Sequence, residues 1–162
     1  LTLSIIVWKH YRRVTLSADA YSMLPKGVGT SPENCMERSV QSEQDAIDAS
    51  QDAVAFCRSH GLSPRESMLI GLCIEEMTVN VVMYGFRGDR KNHHINLRLV
   101  REENSLMIRI RDDCEHFDPI HYLELHEADD PSAHIGIRMV MKTAKEANYM
   151  NSLGWNNLTL VF

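Results

Sequence analysis

The pattern of apolar and polar positions predicts two long helices in the first half of the chain. The first begins at Ser42, an N-cap residue, and its apolar stripe ends before Gly61. The second begins at Ser63, where a proline and then a glutamate follow at the spacing of a capping box. Its apolar positions continue to about Gly85, and we expect the helix to run that far.

Alternation of apolar and polar residues predicts five β-strands around these helices. A third helix is predicted over 133–146, and the acidic segment 112–132, which contains two prolines, is predicted to be irregular. This order of elements favours an α+β fold, a two-layer sandwich with helices on one face of a mixed, mostly antiparallel sheet. The predicted strands lie near 36–41, 93–101, 105–111, 147–151 and 156–162.

The composition is that of one ordinary globular domain, with or without an appendage. The chain has 162 residues, 44% apolar and 24% charged, which excludes disorder and low-complexity repeats. Its 17 basic and 22 acidic residues leave a net charge of −5, which excludes nucleic-acid binding by bulk electrostatics. A single nucleotide stays compatible with this charge, because backbone groups and a metal ion can hold its phosphates locally.

The cysteines favour a reduced, cytosolic domain. They are far apart in the sequence and form no CxxC pair. Two of them lie within the apolar helical patterns, where a free thiol behaves as a small hydrophobic side chain. We therefore expect reduced thiols and no disulfide framework. The cysteines are Cys35, Cys57, Cys73 and Cys114.

The first 35 residues are interpreted as an N-terminal segment and linker. Residues 1–8 are almost entirely apolar, and a basic cluster follows at 9–13. Two interpretations stay open: the end of a transmembrane helix with the basic cluster on the cytoplasmic side, or a strand or helix packed on the domain itself. Residues 24–35 carry the prolines and glycines of a linker, which leaves 36–162 as the domain.

The second predicted helix carries a few polar side chains in surroundings that are otherwise apolar. Over 68–86, apart from a tyrosine, they are Glu75, Glu76, Thr78 and Asn80. Glu76 and Asn80 are four residues apart, so they lie one above the other on the same face of the helix. A buried carboxylate is costly unless an arginine or a ligand compensates it, and the residues alone leave both interpretations open.

Two further segments are compatible with a binding site. Asp112 and Asp113 end a predicted strand and bring a carboxylate to the edge of the sheet, where it could accept an amine or bind a metal. A solvated acidic turn is the alternative. The segment 132–137 contains Gly136 and opens a helix, whose free N–H groups could hold a phosphate.

Together and in this order, the three segments resemble the GHKL ATPase superfamily, and within it the anti-sigma-factor serine kinases of bacteria. The resemblance covers 36–162 and implies the GHKL-type ATP-binding fold. The segment from Glu76 to Asn80 is similar to the N-box of the family. By that resemblance, Glu76 is the general base, which orients the attacking hydroxyl or water, and Asn80 is a ligand of Mg²⁺.

The resemblance also implies which residues surround the adenine. Asp112 matches the aspartate that accepts the adenine amino group. Phe117 lies in the segment that follows this aspartate in the family. Thr159 fits the threonine of the last strand that backs the adenine pocket.

The phosphates, by the same resemblance, lie at the start of the third predicted helix. His134, Ile135 and Gly136 look like the second glycine box of the family. The segment 115–134 would form the ATP lid between this box and the aspartate.

The chain departs from the family pattern at three glycine positions. Cys114 and His116 replace both glycines of the first box, and His134 replaces the first glycine of the second. A Cβ at these positions hinders the backbone conformations and the close approach to a nucleotide that glycine permits. A degenerate module that keeps the fold and binds a protein without nucleotide is therefore the alternative to an ATP-binding domain.

The histidines offer another metal-binding interpretation, which their spacing does not favour. His93 and His94 are adjacent on a predicted strand and point to opposite faces. Cys114, taken with the histidines of the segment 115–134, fits no familiar zinc template.

The resemblance implies a regulatory domain that binds ATP and Mg²⁺ and, if it is an active enzyme, works as a protein serine/threonine kinase or an ATPase. The implied partner is a sigma factor, an anti-anti-sigma-like protein or the membrane part of the same chain. Members of the family often form homodimers. The implied location is cytoplasmic, and a membrane helix ending at residues 1–8 would make this the cytoplasmic domain of an integral membrane protein.

Overall fold

The computed structural model describes residues 30–87, 92–127, 130 and 132–162 of the chain. The apolar run at 1–8, the basic cluster after it and most of the expected linker lie outside these residues. The described strands are β1 (Cys35–Val40), β2 (Ile95–Arg101), β3 (Leu106–Asp112), β4 (Glu146–Ser152) and β5 (Trp155–Val161). The described helices are α1 (Glu43–Ser59), α2 (Pro64–Asn80), α3 (Pro119–Leu125) and α4 (Ile135–Thr143).

The described strands form one sheet in the order β1-β2-β3-β5-β4, and each neighbouring pair is antiparallel. The register places apolar side chains in rows beneath the helices. One such row consists of buried side chains from four adjacent strands, Met36, Leu99, Ile108 and Leu160. Since α1 and α2 pack over these rows, the predicted two-layer α+β sandwich is confirmed.

The two long helices begin at the residues that the sequence predicts. Ser42 Oγ accepts a hydrogen bond of 3.1 Å from the backbone N–H of Asp45. Ser63 and Glu66 form a complete capping box, in which each side chain accepts from the backbone N–H of the other residue. These caps satisfy N–H groups that the first turn of a helix leaves without an intrahelical partner.

α1 and α2 approach each other closely because α2 carries a glycine at the contact. A Cβ on Gly71 would collide with the side chain of Val54 and would lie 3.2 Å from the backbone oxygen of Ser50. The Ser50 hydroxyl donates a hydrogen bond of 3.0 Å to the Gly71 carbonyl oxygen, which ties the two helices together.

The segment 112–132, predicted to be irregular, contains the short helix α3. Asp118 is its N-cap and accepts hydrogen bonds from the backbone N–H groups of Ile120 (2.9 Å) and His121 (3.2 Å). Pro119 occupies the first helical position. The seven residues of α3 are too few to show a helical period, so the Asp-Pro start was the one local signal available.

The end of the chain differs from the prediction by a few residues. α4 ends at Thr143 rather than near Glu146, because Ala144 has an extended backbone (ψ 137°) and Glu146 already belongs to β4. The last two strands are joined by a tight turn. Leu153 and Gly154 both have positive φ, 54° and 78°, which is the backbone of a two-residue hairpin turn that follows the twist of the strands.

The helical segment Pro64–Gly85 is long and apolar enough to cross a membrane, and within the described ranges it alone meets that test. It contacts α1, α4 and the sheet. This packing buries Ile70, Cys73, Ile74 and Met77, whereas Met68 and Leu72 remain exposed.

We predict that Cys57 and Cys73 resist alkylation in the folded protein. Both side chains are fully buried, and burial raises the pKa of each thiol to about 11. At pH 8 only about one thiol in a thousand would then be the reactive thiolate. Iodoacetamide labelling followed by peptide mass spectrometry should modify both in urea but not in buffer. Labelling of Cys73 in buffer as fast as that of the half-buried Cys35 would contradict the packing of α2.

Candidate functional site

A cleft of about 650 Å³ lies between α2, α4 and the adjoining ends of β3 and β5. This volume is within the range of pockets that hold small ligands and cofactors. Seven of the eight residues that the sequence assigns to a site line the cleft, and Thr159 does not. The seven residues are Glu76, Asn80, Asp112, Phe117, His134, Ile135 and Gly136.

Glu76 and Asn80 lie one turn apart on α2 and both line the cleft. Each is partly exposed. Across the ranges that the structure describes, no arginine or lysine pairs with Glu76, and neither side chain makes a hydrogen bond. The interpretation of Glu76 as half of a structural ion pair is therefore not supported, and a carboxylate and an amide oxygen are available to a ligand.

The C-terminal end of α2 widens into a π-helical turn, Val81–Gly85, directly after Asn80. Such turns are rare and are frequent at functional sites. Gly85 lies against Cys114: a Cβ on Gly85 would be 3.0 Å from the Cys114 Sγ and 3.1 Å from its Cβ. The missing side chain at Gly85 thus leaves room for the side chain that Cys114 adds to the wall of the cleft.

Gly136, in the first turn of α4, lies directly against the carboxylate of Glu76. A Cβ on Gly136 would overlap a carboxylate oxygen of Glu76. Any larger residue at position 136 would therefore clash with Glu76, whatever its backbone conformation. The glycine lets α4 approach α2 closely enough to bring the start of α4 and the Glu76 side chain into one site.

His134 is the N-cap of α4 and has a left-handed backbone with a φ of 56°. Glycine adopts this conformation readily, whereas other residues pay about 1–2 kcal/mol for it. The His134 ring packs edge-on against Tyr122 and His126, with 5.0 Å and 5.4 Å between ring centroids. The backbone conformation expected of a glycine is thus adopted by a histidine, and its ring is packed against two aromatic side chains.

Arg138 of α4 binds the backbone on both sides of the segment between α3 and α4, at His126 and at Ala133. Its guanidinium donates hydrogen bonds to the carbonyl oxygens of His126 (2.7 Å) and Ala133 (3.0 Å). Phe117 lies before α3 and packs on Tyr122, with 5.2 Å between ring centroids. These contacts hold the described part of the expected lid beside the cleft.

Asp112, at the end of β3, belongs to a polar network across the sheet. Its Oδ1 accepts hydrogen bonds from the Asn156 side-chain amide (2.7 Å) and the backbone N–H of Cys114 (3.0 Å). The Asn156 Oδ1 accepts from the Tyr149 hydroxyl (2.6 Å) and the Asn151 amide (2.9 Å). Burial raises the pKa of Asp112, and the bonds from Asn156 and Cys114 offset only part of that rise.

Asn156 lines the cleft, whereas Thr159, which the resemblance assigns to the adenine pocket, does not. Side chains alternate along β5, so Asn156 shares the helix-facing side with Leu158 and Leu160, whereas Thr159 lies on the opposite side as the neighbour of Arg109. The sequence feature that could have identified Asn156 is its spacing of two and four residues from two leucines, which places it on their side of the strand.

The family model of the histidine kinase-like ATPase domain matches residues 40–162. No curated protein matches the chain.

The solved structures that are similar to the chain include the following two. The first contains the RsbU and RsbW domains of Rv1364c from Mycobacterium tuberculosis, with a TM-score of 0.54 and 15% identity over 78% of this chain and 32% of that one. The second is a histidine kinase domain from a blue-light activated histidine kinase of Erythrobacter litoralis, with a TM-score of 0.49 and 16% identity over 74% of this chain and 59% of that one. The chain thus spans about a third of the first structure and under two thirds of the second, and the first likeness supports the fold.

We predict that Asn156→Ala lowers the free energy of unfolding by about 2–3 kcal/mol, because it leaves the buried Asp112 carboxylate without its side-chain donor. Asn157→Ala is the matched control and should cost about 1 kcal/mol or less. Asn157 is equally buried, but its amide makes one hydrogen bond, to the Trp155 carbonyl (3.2 Å), and its Oδ1 has no partner in the described part of the chain. Urea denaturation measures both, and equal losses would contradict the network.

Proposed function

The chain belongs to the histidine kinase-like ATPase domain family, and on that premise we propose that its cleft binds ATP together with Mg²⁺. The observation that carries the proposal is the pair Glu76 and Asn80, which line a cleft of about 650 Å³ without a protein partner among the described residues. Both side chains are partly exposed in the cleft, so their oxygen atoms are available to a ligand. A metal ion bound to a triphosphate takes oxygen ligands of this kind.

The donor set of the cleft fits Mg²⁺. Magnesium takes oxygen ligands and is usually bound by one or two protein groups together with phosphates of the substrate. Asn80 offers an amide oxygen, and the Glu76 carboxylate lies one turn away on the same helix. We propose that Asn80 holds the ion, whose chemistry is to neutralise charge on the phosphates, and that Glu76 orients and deprotonates the attacking hydroxyl or water.

The start of α4 fits the phosphates. The side chain of the N-cap residue His134 makes no capping hydrogen bond to the first turn, and His134, Ile135 and Gly136 line the cleft there. N–H groups at a helix N-terminus are suited to anions because they carry a partial positive charge. His134 adds a ring nitrogen donor at the same position.

Asp112 fits the adenine amino group. A carboxylate has about four lone-pair sites, and the bonds from Asn156 and Cys114 leave capacity for a further donor. Asn156 holds the carboxylate in place, so the adenine would meet an acceptor that is already oriented. Phe117 is 42% exposed at the same end of the cleft and could pack on the base.

We propose further that the nucleotide serves regulation of a protein partner, by transfer of the γ-phosphoryl group to a serine or threonine or by controlling association. The fold neighbour that contains an RsbW domain and the resemblance to anti-sigma-factor kinases support this. The proposed partner is a sigma factor, an anti-anti-sigma-like protein or a membrane part of the same chain, and the proposed location is cytoplasmic. A nucleotide-free interaction module is the second candidate, favoured by the side chains of Cys114 and His116 where the family has glycine.

We predict that isothermal titration detects binding of ATP in the presence of Mg²⁺. Asn80→Ala should weaken this binding by about 10–100-fold, which is the loss of affinity expected when one bond to a charged group is removed. In EDTA, the wild type and Asn80→Ala should bind ATP equally, because the lost group acts through the metal. If the wild type at high micromolar concentration gave no heat of binding, the nucleotide proposal would be contradicted and the nucleotide-free module favoured.

Glu76→Gln separates binding from chemistry. We expect it to leave the affinity for Mg-ATP within about threefold and to lower the rate of ATP hydrolysis or phosphoryl transfer by at least about 100-fold, because an amide cannot accept the proton. A variant that turns over ATP at the wild-type rate would show that Glu76 is not the base.

Asp112→Asn should change the nucleotide preference without unfolding the protein. The asparagine presents an N–H group where the adenine amine needs an acceptor, so we predict about 10–100-fold weaker binding of ATP. Inosine triphosphate carries an oxygen in place of that amine, so its affinity should fall much less than that of ATP. The free energy of unfolding should stay the same or rise, because a buried charge has been removed. An equal loss of affinity for ATP and inosine triphosphate would show that Asp112 does not bind the adenine amino group.

A further inference from the structure

His93, Asp113 and Cys114 come together behind the wall of the cleft. A ring nitrogen of His93, a carboxylate oxygen of Asp113 and the Sγ of Cys114 all lie within 4.8 Å of one another. His93 precedes β2, and the other two residues follow β3, so the antiparallel pairing of these strands brings all three to the same end of the sheet. No other group of three such donors is this close together within the ranges that the structure describes.

The two adjacent histidines have different surroundings. His93 is buried, and its Nδ1 lies 3.0 Å from the Asp113 Oδ1. His94 instead packs edge-on against Trp155, with 5.8 Å between ring centroids. The two histidines therefore point to different sides, as predicted. Of the two, His93 is the one that lies beside the Asp113 carboxylate and the Cys114 thiol. Cys114 is 8% exposed, so two of the three donors are shielded from solvent.

The donor types select a class of cation. One nitrogen, one oxygen and one sulfur suit a borderline-soft transition metal such as Zn²⁺, whereas Mg²⁺ takes oxygen ligands. In a tetrahedral zinc site, neighbouring nitrogen and sulfur donors are about 3.5 Å apart. Donors that already lie within 4.8 Å of one another need to approach by little more than about 1 Å to share one cation.

We propose that His93, Asp113 and Cys114 bind one zinc-class divalent cation. The cation binds the thiolate of Cys114, so a metal–sulfur bond forms and the thiol proton is released to solvent. Three protein ligands leave a fourth position for water, as in open zinc sites. This site shares no ligand with the proposed magnesium position at Asn80.

The site also explains a departure from the family pattern. Cys114 stands where the family has glycine, and Gly85 leaves room for its side chain. The backbone N–H of Cys114 also holds Asp112. A cation bound to both Cys114 and His93 would therefore link the end of β3, where Asp112 lies, to the residues just before β2.

Titration of the untagged wild-type protein with Co²⁺, in the absence of nucleotide, tests the site. We expect one equivalent to bind with a near-ultraviolet thiolate-to-cobalt charge-transfer band, which Zn²⁺ abolishes by displacement. Cys114→Ala and His93→Ala should lose the band and bind the cation more than about 100-fold more weakly, since changes outside the ligand set alone cost 10–100-fold. The matched controls Cys35→Ala and His94→Ala should keep both.

A wild-type protein without the band at saturating Co²⁺, or a Cys114→Ala variant that retains it, would overturn the proposal. If the variants do not fold, thermal unfolding of the wild type decides instead. Its midpoint should rise with Zn²⁺ and not with Mg²⁺ alone, because only a cation bound to the folded state stabilises it. An unchanged midpoint would also overturn the proposal. Since neither experiment contains ATP, failure here is distinguishable from failure of the proposed nucleotide site.

Discussion

The packing of the apolar helix α2 is the interaction on which the rest of the domain depends. α1, α4 and the sheet pack against it and bury Ile70, Cys73, Ile74 and Met77. The side on which Glu76 and Asn80 lie faces a cleft instead, and within the described residues no protein group compensates them. A rigid core element therefore holds an available carboxylate and an available amide in a defined position, which is what a binding site for a charged ligand requires.

The sheet supports the same cleft from the other side. A row of side chains that begins with the apolar Val40 and Ile95 continues across β3, β5 and β4 as Asp112, Asn156 and Asn151. The polar half of this row is hydrogen-bonded throughout, so the one buried carboxylate of the cleft is held in a single orientation. The pocket thus lies between a helix whose carboxylate and amide make no hydrogen bond to the described residues and a strand end whose carboxylate is already oriented.

Short-range patterns account for most of what the sequence predicts. A capping box, a carboxylate and an amide four residues apart and a glycine at a helix start each occupy a few consecutive positions, so these patterns predict the long helices. The resemblance that they support names seven residues that line the cleft. Thr159 was assigned by the resemblance, whereas alternation along β5 places Asn156 on the side of the two buried leucines. The meeting of His93 with Cys114 depends on pairing of two strands, which no local spacing encodes.

A crystal structure of the protein with Mg²⁺ and a non-hydrolysable ATP analogue tests the central claim most directly. The account predicts the metal bound to the side-chain oxygen of Asn80, with phosphates at the start of α4, the Glu76 carboxylate beside the γ-phosphate and the adenine amine on Asp112. A cleft that remains without nucleotide at saturating analogue, or a nucleotide bound with Glu76 and Asn80 untouched, would contradict it.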